Sequence, residues 1–235
     1  MKPKEAIILA GGFGTRLKSV VENIPKPMAL INEKPFLEYL FIYLQKSGIE
    51  HIILSVGYNW EIISSYFGTK YGEMDISYAV EKEPLGTGGG IRLAMQHMKS
   101  EYTFILNGDT FFEVNLMDLS EFYFAHMADL CITVKRKRDF FRYGTVELEI
   151  CKVVGFKEKQ AVKYGLINGG VYITRKSIFD NYNLPEKFSF ESDFLEKYLS
   201  DMKICAMRCT EYFIDIGVPL DYEKAVLELP AIIKT

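Results

Sequence analysis

Short apolar runs alternate with helical segments through the first half of the chain, and this rhythm constrains the fold more than any other feature. Ala6–Ala10 is a continuous apolar run that leads into glycines, and His51–Val56 and Ile76–Val80 are further strand-like runs. Continuous apolar runs of this length are typical of parallel strands that are buried on both faces. Intervening helical segments such as Pro35–Lys46 supply the crossovers that parallel strands need. The sequence therefore predicts an α/β fold with a doubly wound, mostly parallel sheet.

The rhythm changes after the segment 107–109. Strand-like pieces at 130–135, 144–150, 153–156 and 166–173 then follow one another, without a linker, an internal repeat or a low-complexity stretch. We therefore expect one domain over residues 1–235. Its first half covers about residues 1–110, and its second half, about residues 111–235, completes the binding site.

Composition narrows the class of partner. The net charge of −3 gives no general attraction to nucleic acid or acidic membranes. The four cysteines have no C-x-x-C spacing, and the pair Cys205 and Cys209 has no histidine nearby, so we predict no zinc site. The N-terminus has no signal-peptide pattern, and no apolar run approaches the length of a membrane span. We expect a cytoplasmic protein that acts on small molecules, and homo-oligomerisation stays open.

A glycine-rich turn follows the first predicted strand, in Leu9-Ala-Gly-Gly-Phe-Gly-Thr-Arg-Leu17. Glycine lets backbone N–H groups approach an anion closely, and an arginine can bind phosphate bidentately. The segment is no Walker A motif, and it is no dinucleotide fingerprint because Leu17 stands where the third glycine belongs. A tight turn that only needs glycine is the alternative. The predicted nucleotide-binding residues are Leu9, Ala10, Gly11, Gly12, Gly14, Thr15 and Arg16.

Lys26 stands between two prolines in Ile24-Pro-Lys-Pro-Met28. The prolines fix the backbone on both sides, which suits an ammonium group that must be aimed at a ligand. We predict that Lys26 also binds the nucleotide, from an exposed loop. A plain surface lysine in a proline-rich loop is the alternative.

Leu-Ala-Gly-Gly-x-Gly-Thr-Arg-Leu followed by Pro-Lys-Pro resembles the signature of the sugar nucleotidyltransferases, or nucleoside-diphosphate-sugar pyrophosphorylases. The resemblance continues along almost the whole chain. It implies a Rossmann-like fold of the nucleotide-diphospho-sugar transferase type. It also implies that the chain joins a nucleoside triphosphate and a sugar 1-phosphate into an NDP-sugar with release of pyrophosphate. Mg²⁺ would be the cofactor, and Arg16, Lys26 and Asp109 would be catalytic.

Glu81-Lys-Glu-Pro-Leu-Gly-Thr-Gly-Gly-Gly90 resembles the base-recognition loop of this family. The carboxylate of Glu81 offers two acceptors to the N1–H and N2–H₂ donors of guanine, while the backbone of 85–90 is the alternative reader of the base. A flexible loop with a solvated acid is the alternative without a function. The implied nucleotide-binding residues are Glu81, Pro84, Leu85, Gly86, Thr87 and Gly108.

Two acids are expected to bind the metal. Asp109 follows an apolar strand and a glycine, at the end of a parallel strand where such sheets hold ligands. Asp215 has apolar neighbours on both sides, and an isolated buried acid is costly unless it is paired or bound to a metal. The family resemblance makes Asp109 and Asp215 the Mg²⁺ ligands. Alternation of Phe213 and Asp215 on a solvent-exposed strand is the alternative.

The resemblance extends to the sugar side. Val154–Gln160 resembles the family's Glu-Lys-Pro motif, Ile167–Tyr172 resembles its Asn-x-Gly-x-Tyr segment, and Phe190–Asp193 resembles a helix start with a sugar-contacting acid. A cap at Ser192 or Asp193 is the alternative for that helix start. The implied sugar-phosphate-binding residues are Gly144, Glu158, Lys159, Asn168, Gly169 and Glu191. Three departures from the family pattern, Asn115, Gln160 and Val218, put the identity of the sugar in doubt rather than the activity.

The implied chemistry needs no general base, because the attacking phosphate oxygen is already an anion. The segment Leu17–Ala29 resembles the branch that joins GTP to D-glycero-α-D-manno-heptose 1-phosphate, giving a GDP-heptose for bacterial surface polysaccharide. The alternative acceptors are mannose, glucose or N-acetylmuramic acid 1-phosphate, with GTP, UTP or dTTP. A non-catalytic nucleotide-sugar sensor on the same fold is the alternative of another class.

Overall fold

The computed structural model describes residues 2–12, 24–157 and 161–233 of the chain. The described strands are β1 (Glu5–Leu9), β2 (Leu30–Ile31), β3 (Lys34–Pro35), β4 (His51–Val56), β5 (Lys70–Tyr71), β6 (Met74–Val80), β7 (Tyr102–Asn107), β8 (Thr110–Phe112), β9 (Leu130–Phe140), β10 (Thr145–Glu149), β11 (Lys152–Lys157), β12 (Val162–Arg175), β13 (Ile204–Cys209) and β14 (Phe213–Asp215). The α-helices are α1 (Phe36–Lys46), α2 (Trp60–Phe67), α3 (Gly86–Ala94), α4 (Leu116–Ala125) and α5 (Pro219–Ile232). None of these helices combines the length and the apolar character that a membrane crossing requires.

One sheet joins both halves of the chain. Within the described residues its strand order is β10-β11-β13-β9-β12-β7-β1-β4-β6-β5. The first half supplies the parallel strands β7, β1, β4 and β6. The second half adds β12, which runs antiparallel to both β7 and β9. The predicted α/β fold is confirmed, and antiparallel pairing predominates among the strands of the second half.

The continuous apolar runs are buried on both faces of the sheet, as the pattern predicts. Ile8 and Leu54 lie in the core on one face, where α1 packs, and Ile7 and Ile53 lie in the core on the other, where α3 packs. All four side chains are fully buried. Burial of these two layers brings the carboxyl ends of β1, β4 and β7 to one edge of the sheet, where the candidate site lies.

A separate two-stranded ribbon lies at that edge. β8 and β14 pair antiparallel, and their register sets Thr110 opposite Asp215. The amide of Ile216 also donates to the carbonyl of Asp109 at 3.0 Å. The sequence pattern predicts a strand over 212–216 but does not identify its partner. The pairing brings two acids that are far apart in the sequence to one place.

The sequence predicts a helix over residues 189–199, and the observed helix is shorter and has a wider turn than an α-helix. It is a π-helical segment over Phe190–Glu196, and its cap is Ser189, whose hydroxyl accepts from the amide of Ser192 at 3.3 Å. The side chain of Asp193 reaches back and accepts from the amide of Ser189 at 2.7 Å. Neither Ser192 nor Asp193 is therefore the N-cap residue.

Candidate active site

The glycine-rich turn starts between two strands that hold it closely. The amide of Gly108 donates to the carbonyl of Leu9 at 2.9 Å, and the amide of Ala10 donates to the carbonyl of Ser55 at 2.8 Å. A Cβ on Gly108 would lie 2.5 Å from that Leu9 oxygen, so only glycine fits here. Gly14, Thr15 and Arg16 lie outside the described residues.

Glu81 joins the glycine-rich turn to residues 81–90, which we name the base loop after the motif that they resemble. One carboxylate oxygen accepts from the hydroxyl of Ser55 at 3.1 Å, and the other accepts from the amide of Leu85 at 2.9 Å. A Cβ on Gly11 or Gly90 would lie 3.3 or 2.7 Å from the same carboxylate. Each oxygen retains a further lone pair. Glu81 therefore shapes the loop and still has acceptor capacity for a ligand.

A cavity of about 350 Å³ opens between these two loops. Its lining includes half of the residues predicted for the nucleotide, namely Leu9, Gly11, Gly12, Glu81, Pro84, Gly86 and Thr87, and it also includes Asp109. Ala10 and Gly108 are buried beside it. Ser55, Asn107 and Glu191 also line it. No motif marks Ser55 or Asn107, but each lies at the carboxyl end of a predicted strand, and that position is the signal that could have identified them.

Lys26 is buried between the two acids. Its Nζ lies 2.6 Å from Asp109 Oδ2 and 3.8 Å from Asp215 Oδ1. The residue is 8% exposed, so the expectation that Lys26 lies in an exposed loop is wrong: the prolines direct it inward onto the ribbon. Burial, and next the nearby charge of Asp109, raise the pKa of Asp215, while Lys26 acts to lower it.

The two carboxylates suit a divalent cation. They share one ammonium, and the raised pKa of Asp215 reflects burial together with the repulsion that a metal ion would relieve. Within the described ranges, no group of three or more His, Cys, Asp or Glu side chains is arranged to hold a metal. Mg²⁺ typically takes one or two carboxylates and completes its shell with water and substrate phosphates. The donor set therefore fits Mg²⁺ only together with a phosphate substrate.

A second cavity, of about 410 Å³, adjoins the first. Three of the residues predicted for the sugar phosphate, Gly144, Asn168 and Glu191, line it. Gly169 is buried instead, where a Cβ would lie 2.5 Å from the ring of Phe112. Glu158 and Lys159 lie outside the described residues. Residues without a motif signal also line this cavity, among them Thr145, Ser189 and Glu196.

Glu191 is the wall that the two cavities share. Its carboxylate accepts from the hydroxyl of Thr87 at 2.9 Å. Asn168 also lines the second cavity, where its Nδ2 donates to the hydroxyl of Tyr172 at 2.7 Å and its Oδ1 accepts from the amide of Gly170 at 3.0 Å. Two small-molecule ligands could therefore lie side by side, with one acid between them.

Lys137 is a further cation close to Asp215. Its Nζ lies 4.5 Å from the centroid of the Tyr143 ring and 5.5 Å from that of Phe213. Burial lowers its pKa, and the charges of Asp221 and Asp215 act in the opposite direction. Nothing in the motifs singles out this lysine, because its position depends on the pairing of β9 within the sheet.

The comparisons with known proteins fit this arrangement of two cavities. A model of the nucleotidyl transferase family matches residues 5–231. The chain belongs to that family. The match covers the residues of both cavities and of the β8–β14 ribbon, so the fold and the transferase class apply to the whole described site.

Two relatives of this nucleotidyl transferase match over nearly their full lengths. The D-glycero-alpha-D-manno-heptose 1-phosphate guanylyltransferase of Aneurinibacillus thermoaerophilus is 51% identical over 225 residues, which cover 96% of this chain and 98% of the relative. The Campylobacter jejuni protein of the same name is 49% identical over 93% of this chain and 96% of its own. The crystal structure of HddC from Yersinia pseudotuberculosis superposes with a TM-score of 0.86 at 39% identity, covering 95% of this chain and 98% of HddC. The same protein has also been solved in complex with GMP-PN.

Proposed function

We propose that this nucleotidyl transferase moves GMP from GTP to D-glycero-α-D-manno-heptose 1-phosphate, forming a GDP-heptose and pyrophosphate. The observation that carries the proposal is the pair of adjoining cavities with Glu191 between them and the Lys26–Asp109–Asp215 cluster at their edge. The names of the relatives at 51% and 49% identity support the choice of GTP and heptose.

The reaction is a single displacement at the α-phosphorus of GTP. An oxygen of the sugar phosphate forms the new bond to this phosphorus in line with the bond to the departing oxygen, and pyrophosphate leaves with the electrons of the broken bond. Most of the rate enhancement comes from orientation and charge neutralisation. We assign Lys26 to the α-phosphate, Arg16 to the leaving pyrophosphate and Lys159 to the phosphate of the sugar.

Asp109 and Asp215 are the proposed ligands of Mg²⁺, which would neutralise phosphate charge when bound. In the present arrangement Lys26 neutralises the same two carboxylates. A metal ion bound to Asp109 and Asp215 would free the ammonium of Lys26 to contact the nucleotide. This requirement explains why a lysine is buried beside two acids rather than one.

Guanine is the proposed base. Both oxygens of Glu81 accept bonds from the chain, and their remaining lone pairs face a cavity also lined by Pro84, Gly86 and Thr87. Uracil and thymine would place one donor between two carbonyl oxygens against this carboxylate, and adenine would place the acceptor N1 there. Backbone groups of 85–90 share the selection.

On the acceptor side, we assign sugar contacts to Gly144, Asn168 and Glu191, while Glu158 remains an assignment from the motif. We further infer that residues 1–235 act as one catalytic domain. The support is the pairing of β12, from the second half, with β7 from the first.

A matrix of nucleoside triphosphates against sugar 1-phosphates, with pyrophosphate release as the readout, tests the proposal. GTP with D-glycero-α-D-manno-heptose 1-phosphate should give the highest kcat/KM. A preference for UTP or dTTP would contradict the guanylyltransferase assignment. A preference for mannose or glucose 1-phosphate would contradict the acceptor alone.

A further inference from the structure

Arg92 connects the base loop to one wall of the second cavity, which we name the acceptor cavity. Arg92 lies in the last turn of α3. One of its terminal nitrogens donates to the carbonyl oxygens of Pro185 and Glu186 at 2.7 and 3.1 Å, and the other donates to that of Leu184 at 3.4 Å. Its Cζ lies 5.1 Å from the centroid of the Phe188 ring. A planar guanidinium can meet three successive carbonyls and a ring face together, whereas a lysine ammonium meets them less well.

Backbone hydrogen bonds also join the base loop to the segment that Arg92 contacts. The amide of Phe188 donates to the carbonyl of Leu85 at 3.0 Å, and its carbonyl accepts from the amides of Gly88 and Gly89 at 3.0 and 3.3 Å. A Cβ on Gly86 would lie 2.6 Å from the Phe188 oxygen, and one on Gly88 would lie 2.2 Å from its ring. The base loop therefore has glycine where residues 184–191, which we name the acceptor segment, approach it.

The acceptor segment carries residues of the site. Ser189 and Glu191 line the acceptor cavity, and Ser192 and Glu196 continue the same wall. The hydroxyl of Thr87 links it to the base loop a second time, since it donates to Glu191 at 2.9 Å and accepts from the amide of Phe190 at 2.8 Å. The position of the Glu191 carboxylate therefore depends on how the segment lies against α3.

Arg92 connects α3 to the acceptor segment, and the fold holds these two parts in place to different degrees. Residues 176–189 contain no strand and no α-helix, so burial of the Phe188 side chain and the hydrogen bonds to the base loop and Arg92 hold the first part of the acceptor segment. α3 has its own helical hydrogen bonds in addition to the burial of Ile91 and Ala94 in the same core. Loss of the contact would thus displace the acceptor segment rather than the base loop.

We propose that Arg92 is a positioning residue for the acceptor substrate, which holds the acceptor segment so that Glu191 faces the sugar of the sugar 1-phosphate. The inference rests on the proposed function. Arg92 itself is not among the described residues that line either cavity. A shift of about 1 Å in a substrate-positioning group can cost up to about a hundredfold in rate, so a residue without substrate contact can have a kinetic effect.

Arg92→Met tests the proposal, because it keeps the apolar stem over Phe188 and removes the donors. We expect the KM for the sugar 1-phosphate to rise about tenfold, on the scale of one lost charge-assisted hydrogen bond, and the KM for GTP to stay within about twofold. Arg92→Lys should recover part of the loss. Arg208→Met is the matched control, since Arg208 is an exposed arginine that lines a different cavity. Equal increases in both KM values, or no recovery in Arg92→Lys, would contradict a positioning role.

Thr87→Val removes the second link without touching Arg92, and it should also raise the KM for the sugar 1-phosphate. The double variant should raise it by less than the product of the single effects, because both changes release the same segment. Strict multiplication of the two effects would contradict the proposal.

Hydrogen exchange separates the proposal from the proposed function, because it needs no turnover. In Arg92→Met the amides of the acceptor segment should exchange faster, while those of α1 and β4 keep their protection. Unchanged exchange in the acceptor segment would overturn the inference even if the wild-type protein makes GDP-heptose. A wild-type protein that uses another sugar 1-phosphate would overturn the heptose assignment alone, and faster exchange of the acceptor segment in Arg92→Met would still support the positioning role.

Discussion

Lys26 is the residue on which the chemistry of the site depends most. The family motif predicts its importance, but only the fold shows that its ammonium is buried between Asp109 and Asp215. Lys26→Ala should lower kcat by about 10²–10³, the usual scale for the loss of a transition-state charge contact. It should also lower the melting temperature measured without Mg²⁺, because two partly buried carboxylates lose their counter-ion. A variant with near-normal kcat would remove Lys26 from the catalytic groups.

Glu81 has a less exclusive role than its motif suggests. Its oxygens bond to Ser55 and Leu85 within the chain, so it supports the loop as well as facing the cavity. Glu81→Gln keeps the shape and exchanges one acceptor for a donor. The preference for GTP over ATP, measured as a ratio of kcat/KM values, should fall by roughly tenfold. Unchanged discrimination would assign base selection to the backbone of 85–90.

Local sequence patterns predict the elements well where one pattern decides the conformation. The strand pattern at His51–Val56 and the helical spacing before Lys46 give elements within a residue of those observed. The ribbon β8–β14 and the position of Lys137 depend on pairings between distant segments, which no local pattern encodes. The π-helical turn at Phe190–Glu196 likewise follows from packing against α3, because its apolar spacing also fits an α-helix.

A hydrogen-bond network joins the starts of β1 and β4 to the loop before β7, at the end of the parallel strands opposite the candidate site. The buried Glu5 in β1 accepts from His51 at 2.6 Å and from the amides of Lys99 and Ser100 at 3.0 and 2.6 Å. Burial alone would raise the pKa of Glu5, but the bonds from His51, Ser100 and Lys99 outweigh it and lower the pKa from 4.5 to about 2.

A carboxyl group whose pKa is lower in the folded state than in the unfolded state stabilises the fold at pH values above its unfolded-state pKa. This contribution is lost as the pH falls through the folded-state pKa. Glu5→Gln should therefore lower the free energy of unfolding near pH 7 by about 3 kcal/mol. The deficit relative to wild type should shrink as the pH falls from about 4.5 to about 2. Urea unfolding at several pH values measures it, and a deficit independent of pH would contradict the account.

At the scale of the whole molecule, one continuous sheet places the proposed nucleotide cavity and the proposed acceptor cavity side by side. The parallel half of the sheet presents the glycine-rich turn and the base loop, and the antiparallel half presents the acceptor wall. The sequence motifs contain part of the lining of each cavity, but they do not show that Glu191 lines both. That fact depends on the long-range docking of residues 184–191 against α3.

The proposed metal requirement belongs to this scale because the proposed ligands, Asp109 and Asp215, come from both halves of the chain. Activity should fall below detection in excess EDTA and return on addition of Mg²⁺ or Mn²⁺. Asp215→Asn should need far more Mg²⁺ for half-maximal rate, since one of two charged ligands is lost. Full turnover in excess chelator would remove Asp109 and Asp215 from a metal-binding role.

The central claim is that both substrates bind together and that the α-phosphate passes from one to the other. Incubation of the protein with Mg²⁺, D-glycero-α-D-manno-heptose 1-phosphate and GTP labelled at the α-phosphate tests it most directly. The account predicts that the label appears in a GDP-heptose and that pyrophosphate is released without label, in equal amounts. Label that remains in GTP, or that appears in GMP or GDP without a sugar, would contradict it.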